Sequence, residues 1–180
     1  MDNEDRRNCF QIDYLPQAVF LSILSYLDVK HLGRASCVSK HWYNSALDPC
    51  LWRRLKLQKR QLVDSEVLVR ITNYGSSTAT VLDLSECRNI TEEGLLKALQ
   101  QCRYLVELYV VRCPAVTDKC LATMGQSCQN IKVLDISLCP AVTDIGVEEV
   151  SFSVLILRNG EHYFLCFCQV RETQVEVRES

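Results

Sequence analysis

The sequence predicts an α/β repeat protein in which a short helical block precedes a small solenoid of strand–turn–helix units. Between residues 14 and 57, apolar residues recur every three or four positions, which indicates short helices. Beyond residue 75, Cys87, Cys113 and Cys139 follow one another at intervals of 26 residues, and their neighbours repeat with them. A fixed period of this length is typical of a solenoid.

The helical block contains three predicted helix starts. Pro16 suits the first turn of a helix, where a missing N–H costs nothing. Asp28 is placed to cap a second short helix that carries Val38, and Asp48 opens a third start. Helices this short cannot bury all of their apolar surface by themselves, so we expect part of that surface to face a partner.

These residues resemble the F-box family. The motif stands as Leu15-Pro16, Ile23-Leu24, Leu27, Val38, Trp42, Asp48-Pro49 and Leu51-Trp52. One departure is Gln17, where the family commonly has an acidic residue. The alternative, an ordinary helical core, explains part of the pattern, because Val38 and Trp42 are expected to pack inside the block.

The resemblance implies binding to the Skp-type adaptor of SCF ubiquitin ligases and, through it, to a cullin–RING scaffold. The residues assigned to the adaptor surface on this basis are Leu15, Pro16, Val19, Ile23, Leu24, Leu27, Leu51 and Trp52.

Each 26-residue unit has the same internal order. Leu82 and Leu84 alternate along a predicted strand ahead of Cys87, and Thr91 is placed to cap a helix with an acid in its first turn. The order recurs twice more along the chain. The unit resembles the cysteine-containing leucine-rich repeat. Together with the preceding block, it resembles the F-box/leucine-rich-repeat family, whose members are substrate receptors of SCF ligases.

The predicted organisation has four parts. They are a disordered N-terminus (1–12), an F-box (13–57), leucine-rich repeats (58–150) and a divergent C-terminal tail (151–180). The repeats comprise an irregular first unit and about three units of period 26, the last of them incomplete. A strand is also predicted over residues 55–57, so the repeats would follow the F-box without a flexible linker.

The period is lost after Val150, where two β-prone runs flank Asn159-Gly160, a strong hairpin signal. One interpretation is a β-hairpin that closes the open end of the solenoid, with Phe152, Phe164 and Phe167 partly buried. The other is a divergent end on a truncated chain, exposed and without regular structure. The abrupt loss of the period favours the second interpretation.

The strand pattern also predicts a surface for a protein substrate. Alternate residues of a strand point to opposite faces, so the leucines point inward and the residues between them line the concave face. The predicted substrate contacts are Asp83, Ser85, Glu86, Tyr109, Val111, Arg112, Asp135, Ser137 and Leu138. Tyr109 and Arg112 are the best anchors, because tyrosine and arginine are enriched at interface hot spots. That all nine are plain surface residues is an equally good interpretation of the sequence.

The 11 cysteines and the charge limit the remaining possibilities. The N-terminus does not resemble a signal peptide, so we expect a reducing compartment, the cytoplasm, with the nucleus as a second candidate. Cysteines that recur once per repeat are interpreted as buried structural thiols, since no zinc-type Cys-x-x-Cys knuckle occurs. No metal, cofactor or catalytic residue is expected. A net charge of −2 argues against nucleic-acid binding, and no apolar run is long enough for a membrane span.

A basic cluster follows the helical block and is interpreted as a solvated face, with a phosphate or acidic-partner site as the minority interpretation. Its members are Arg53, Arg54, Lys56, Lys59 and Arg60.

The sequence and the resemblance together predict a non-catalytic receptor that acts by proximity, holding a protein substrate near a separate ubiquitin-carrying enzyme. Two alternatives stay open. One is a truncated decoy that binds the adaptor but recruits substrate poorly. The other is a leucine-rich-repeat interaction protein outside the ubiquitin system.

Overall fold

The computed structural model describes Ile12, residues 15–58 and residues 63–148, together with the backbone of three short strands between residues 165 and 174. The chain divides into two compact units, Met1–Leu51 and Trp52–Ser180. We call them the helical unit and the repeat unit. The predicted disorder of residues 1–12 falls, except for Ile12, outside the described residues.

The helical unit is built from short helices around one small core. Its elements are α1 (Gln17–Leu24), α2 (Val29–Ala35), α3 (Lys40–Ala46) and a 3-10 helix (Pro49–Trp52) that runs to the boundary. Its buried core residues are Phe20, Leu24, Leu32 and Ala35. Trp42 packs edge-on against Phe20 with ring centroids 5.0 Å apart, so the prediction that Trp42 packs internally is confirmed.

Two caps set the boundaries of the middle helices. The Asp28 side chain accepts a hydrogen bond from the backbone N–H of His31 at 2.8 Å, as predicted. The sequence predicted one helix carrying Leu32 and Val38, but α2 ends at Ala35 and α3 begins after Ser39, whose hydroxyl accepts from the N–H of Trp42. Val38 therefore lies in the connection and is 63% exposed. The expectation that Val38 packs inside the block is wrong.

The repeat unit alternates strands and helices. In chain order they are β1 (Arg54–Lys56), α4 (Ser65–Tyr74), β2 (Val81–Asp83), α5 (Glu92–Gln101), β3 (Glu107–Tyr109), α6 (Asp118–Ser127) and β4 (Val133–Asp135). Residues 144–148 are helical as well. The four strands pair in parallel and in chain order, while α4 packs against α5 and α5 against α6. The predicted fold class, helices followed by a small leucine-rich-repeat solenoid, is confirmed.

The strand register reproduces the sequence period. Leu55 pairs with Leu82, which pairs with Leu108, which in turn pairs with Leu134, and all four side chains are buried. One inward row of leucines thus crosses the sheet, and burying each contributes about 1.5–3 kcal/mol.

The cysteines form a second buried row. Cys113 donates through Sγ to the carbonyl of Cys87 at 3.5 Å, and Cys128 donates to that of Cys102 at 3.3 Å, so each thiol contacts the preceding unit. Burial raises the pKa of the Cys102 and Cys128 thiols to about 12. At neutral pH they are protonated donors, which agrees with the structural interpretation.

The tail adds further strands. A fifth strand, β5 (Leu165–Phe167), pairs in parallel with β4, and β6 (Gln169–Val170) pairs antiparallel with β7 (Thr173–Gln174). The expectation that the tail has no regular structure is wrong at these positions, because open strand edges favour pairing. The hairpin turn predicted at Asn159-Gly160, and the burial predicted for the phenylalanines around it, lie outside the described residues.

Candidate functional site

Helix α1 carries apolar side chains in two neighbouring stripes, roughly 100° apart around the helix axis. Phe20 and Leu24 point into the core and are fully buried, whereas Val19 and Ile23, one position before each of them, are 45% and 42% exposed. A surface helix normally has a single apolar stripe, with polar residues opposite. The outer stripe of α1, extended at its start by exposed Pro16, therefore has no counterpart in the core of the helical unit.

Other exposed apolar residues of the helical unit lie outside α1. Tyr26, in the turn after α1, is 88% exposed, and Val38 and Tyr43 are exposed as well. None of these three residues was predicted from the sequence as part of the adaptor surface. For Tyr26 the signal was present, since it lies three positions after Ile23 and so continues the helical spacing of the outer stripe.

Two residues assigned to the adaptor surface lie in a core instead. Leu24 is fully buried because it lies on the inner face of α1. Trp52 is also buried and belongs to the repeat unit, where its ring lies 5.1 Å from the ring of Tyr74. The prediction that these two side chains present a surface to a partner is corrected. Leu15, Leu27 and Leu51 are half-buried and pack against the helical core.

The predicted substrate contacts lie on the face of the sheet opposite the buried leucine row, which we call the outer face, and in the turns that follow the strands. Asp83, Tyr109 and Asp135 pair in register across β2, β3 and β4. Of the nine predicted residues, Arg112 and Leu138 are exposed and the other seven are half-buried. The structure therefore brings all nine onto one side of the repeat unit.

Glu86, Arg112 and Leu138 depart from the extended conformation that the sequence implied. The strands end three residues earlier, and these residues adopt φ values of 62°, 54° and 59°. A left-handed conformation costs an L-residue roughly 1–2 kcal/mol. It turns the chain just ahead of Cys87, Cys113 and Cys139, so the turn recurs with the period of the repeat.

Tyr109 lies among carboxylates. Its hydroxyl donates to Glu107 Oε2 at 3.2 Å, and Asp83 and Asp135 occupy the neighbouring strands. Burial raises the pKa of the Tyr109 phenol, and the negative charge of Glu107, Asp83 and Asp135 raises it further. Glu107 was not predicted from the sequence as a site residue, although its position two residues before Tyr109 on the same strand face was a usable signal.

Backbone hydrogen bonds hold the two aspartates in place. Asp83 Oδ1 accepts from the N–H of Ser85 and Asp135 Oδ1 from that of Ser137, each at 3.0 Å. The Arg112 guanidinium lies 3.7 Å from the Glu86 carboxylate, an exposed pair that contributes little stability.

The basic cluster meets the sheet at its first strand. Arg54 and Lys56 are exposed at the two ends of β1, and Lys56 pairs in register with Asp83. The charge on the outer face thus changes from positive on β1 to negative on β2. Lys59 and Arg60 lie outside the described residues.

Neither a metal site nor a membrane-spanning helix is found among the described residues. No group of three or more histidine, cysteine or acidic side chains is arranged to hold a metal ion. In the described part of the chain no helix combines the length and apolar character needed to cross a membrane.

Comparisons with known proteins agree with both units. A family model described as F-box-like matches residues 12–58, and one described as Leucine Rich repeat matches residues 127–151. The F-box/WD repeat-containing protein 8 of Homo sapiens is 45% identical over 53 residues, which are 29% of this chain and 9% of that protein. The chain thus spans less than a tenth of the length of that relative.

The two matched domains, the fold that they adopt here and the similarity to an F-box protein together support a relationship to the F-box/leucine-rich-repeat family. Proteins of this family are typically non-catalytic adaptors.

Proposed function

We propose that this chain is the substrate-recognition subunit of an SCF-type E3 ubiquitin ligase. The observation that carries the proposal is the outer apolar stripe of α1, which lies within the F-box-like segment and which the core of the helical unit leaves exposed. An F-box implies a Skp-type adaptor as partner, and exposed apolar side chains are what such a partner would cover.

The adaptor surface consists of Pro16, Val19 and Ile23, with Tyr26 continuing it. Covering the exposed parts of Val19 and Ile23 stabilises a complex by about 1 kcal/mol each, and the half-buried Leu15 and Leu27 extend the contact. The buried Leu24 acts through the core, because it holds α1 in the orientation that turns Val19 and Ile23 outward.

The repeat unit holds the substrate on the outer face of its sheet. The chain performs no chemistry of its own. It raises the effective concentration of its cargo near a ubiquitin-carrying enzyme on the cullin–RING scaffold. We propose the cytoplasm as its location, with the nucleus as a second candidate.

Replacing the outer stripe tests the adaptor contact. The double variant Val19→Asp/Ile23→Asp places two charges on that stripe without touching the buried Phe20 and Leu24, so the helical unit should remain folded. In a pull-down with the purified adaptor, we expect the wild-type chain to bind and the double variant not to bind. Ile145→Asp is the matched control, since Ile145 is 67% exposed and lies in the repeat unit. Equal retention of the double variant would refute the assignment of the adaptor surface.

A reconstituted ubiquitylation assay separates the receptor from the two alternatives. A receptor transfers ubiquitin to proteins captured by the repeat unit. A decoy binds the adaptor but lowers the turnover supported by other receptors. A repeat protein outside the ubiquitin system does not bind the adaptor at all.

A further inference from the structure

We infer that the outer face of the sheet accepts an extended protein segment whose central side chain is a lysine or an arginine, placed over Tyr109. This deepens the proposed function, on which it rests, by naming the class of substrate. Three features of the face favour such a segment: the aromatic ring, the negative charge around it and the positive charge at β1.

The ring of Tyr109 provides the contact for a cation. Its hydroxyl already donates to Glu107, which holds the ring along the strand face, and Asp83 and Asp135 lie in register with Tyr109 on the two neighbouring strands. A cation over an aromatic ring is attracted by the ring face, and here three carboxylates reinforce that attraction.

Within the described residues, the carboxylates around Tyr109 form no ion pair, and Lys56, in register with Asp83, marks the positive edge of the face at β1. The Arg112 guanidinium lies 3.7 Å from the Glu86 carboxylate, beyond the ends of the strands. Asp83 and Asp135 are oriented by the N–H groups of Ser85 and Ser137. Complementary charge on a partner therefore gains attraction without first reordering these two side chains.

The two remaining features of the face give the segment a direction. Arg54 and Lys56 on β1 favour an acidic residue at one end of the segment, and exposed Leu138, in the turn after β4, favours an apolar residue at the other. A purely basic segment would meet like charge at β1, which costs affinity. The segment that fits the face runs across the strands in the order acidic, basic, apolar.

Titration of the full chain with short synthetic peptides, followed by NMR at low ionic strength, tests this inference. The probe is a glycine–serine peptide with a glutamate, a central lysine and a leucine in that order; in the comparison peptide a glutamate replaces the lysine. We expect the lysine peptide to shift the amide signals of β2 to β4 and to bind more tightly than the comparison peptide. Added salt should weaken its binding.

Three variants decide the result. Tyr109→Leu, which removes the ring, is expected to weaken the binding of the lysine peptide roughly three- to thirtyfold, the range of a cation–π contact. Asp83→Asn/Asp135→Asn removes two negative charges but keeps the side-chain shape and the acceptors for Ser85 and Ser137. It should also weaken the binding of the lysine peptide. The control Glu66→Gln/Glu93→Gln removes the same charge from exposed positions on α4 and α5 and should leave the affinity unchanged.

Equal binding of the two peptides would overturn the inference, as would an equal loss in the control variant. Adaptor binding, measured on the same proteins, separates a failure of this inference from a failure of the proposed function. A wild-type chain that discriminates the peptides but does not bind the adaptor would refute the SCF assignment alone.

Discussion

At the scale of single residues, small side chains allow successive repeats to approach closely. Gly94 and Gly146 occupy equivalent positions in the first turn of their helices, two periods apart. A Cβ on Gly94 would collide with the side chain of Ser65 and lie 3.0 Å from its Cα, and one on Gly146 would collide with the carboxylate of Asp118. Ser65 and Asp118 each belong to the preceding helix, so these contacts set the spacing between units.

We therefore expect Gly94→Ala to destabilise the repeat unit by about 1–3 kcal/mol, the usual cost of overpacking, in urea unfolding. Gly33→Ala is the control. No atom lies within 4 Å of a Cβ at Gly33, and an alanine inside an exposed helix stabilises by roughly 0.5–1 kcal/mol relative to glycine. If both variants changed stability in the same direction, the close approach at Gly94 would not be a constraint.

The buried thiols make the folded state sensitive to alkaline pH. Burial raises the pKa of Cys102 and Cys128 from 9.0 to about 12, so between these values the folded state holds protons that the unfolded state has released. Their contribution to stability is complete below pH 9 and is lost as the pH rises towards 12. We expect the free energy of unfolding to fall in this window by up to about 1.4 kcal/mol per pH unit for each thiol.

Unfolding measured between pH 8 and pH 11 on wild type and on Cys102→Ala/Cys128→Ala checks this expectation. The double variant is less stable at every pH, since it leaves two cavities, but its stability should decline less steeply. Parallel declines in the two proteins would assign the alkaline sensitivity to other groups.

Residue environments were predicted unevenly from the sequence. The burial of the strand leucines was predicted correctly, because a strand has a period of two and polar or small residues separate these leucines. Leu24 was misassigned because Val19, Phe20, Ile23 and Leu24 form two neighbouring apolar stripes on α1, and the spacing alone does not show which stripe packs inward. The left-handed conformations of Glu86, Arg112 and Leu138 were missed because none of these residues is a glycine or an asparagine.

At the scale of elements, a chain of hydrogen bonds links the start of each helix to the next. Ser65 Oγ accepts from the N–H of Thr91, the Thr117 hydroxyl donates to Glu92, and Thr143 donates to Asp118 through both its N–H and its hydroxyl. In each pair the first residue of one helix contacts the cap of the next. The sequence predicted the threonine caps and the acids; the structure shows that the acids also bridge neighbouring units.

Asp118→Ala removes one of these bridges and leaves the donors of Thr143 without their acceptor. We expect a loss of about 1–2 kcal/mol in the free energy of unfolding, within the range for hydrogen bonds to a charged group at an exposed site. Asp118→Asn, which keeps one acceptor oxygen, should lose less. The neighbouring Lys119→Ala is the control and should change stability by less than about 0.5 kcal/mol. A loss confined to Lys119→Ala would contradict the bridging role.

The helices and strands were predicted where the period or a cap was plain, as at Asp28 and over residues 55–57. The division between α2 and α3 was missed because Ser39 gave only a weak cap signal within an otherwise apolar stretch. Its extended backbone, with φ of −158°, ends any continuous helix at that point.

At the scale of the whole molecule, the register shows where the repeat changes. Successive strand partners are 27, 26 and 26 residues apart, from Arg54 to Val81, to Glu107 and to Val133. Leu165 follows Val133 after 32 residues. The loss of the period was visible in the sequence, but the later strand was not, because pairing with an open sheet edge requires no repeat motif.

Because β5 covers the open edge of β4, deleting residues 151–180 should destabilise the repeat unit. We expect the melting temperature to fall by roughly 2–4 °C for each kcal/mol of lost stability. Deleting residues 171–180, which removes β7 but leaves β5, is the control and should have the smaller effect. An unchanged melting temperature after the longer deletion would restore the interpretation of the tail as a segment that adds no stability.

The central claim joins both units in one role, that of an adaptor-bound receptor. Its most direct test is size-exclusion chromatography with light scattering of purified full chain, a Skp-type adaptor and a cullin–RING scaffold. We predict that wild-type chain and the Tyr109→Leu variant co-elute with the adaptor and the scaffold in equimolar amounts, whereas Val19→Asp/Ile23→Asp elutes alone. Separate elution of the wild-type chain, or co-elution of the double aspartate variant, would contradict the account.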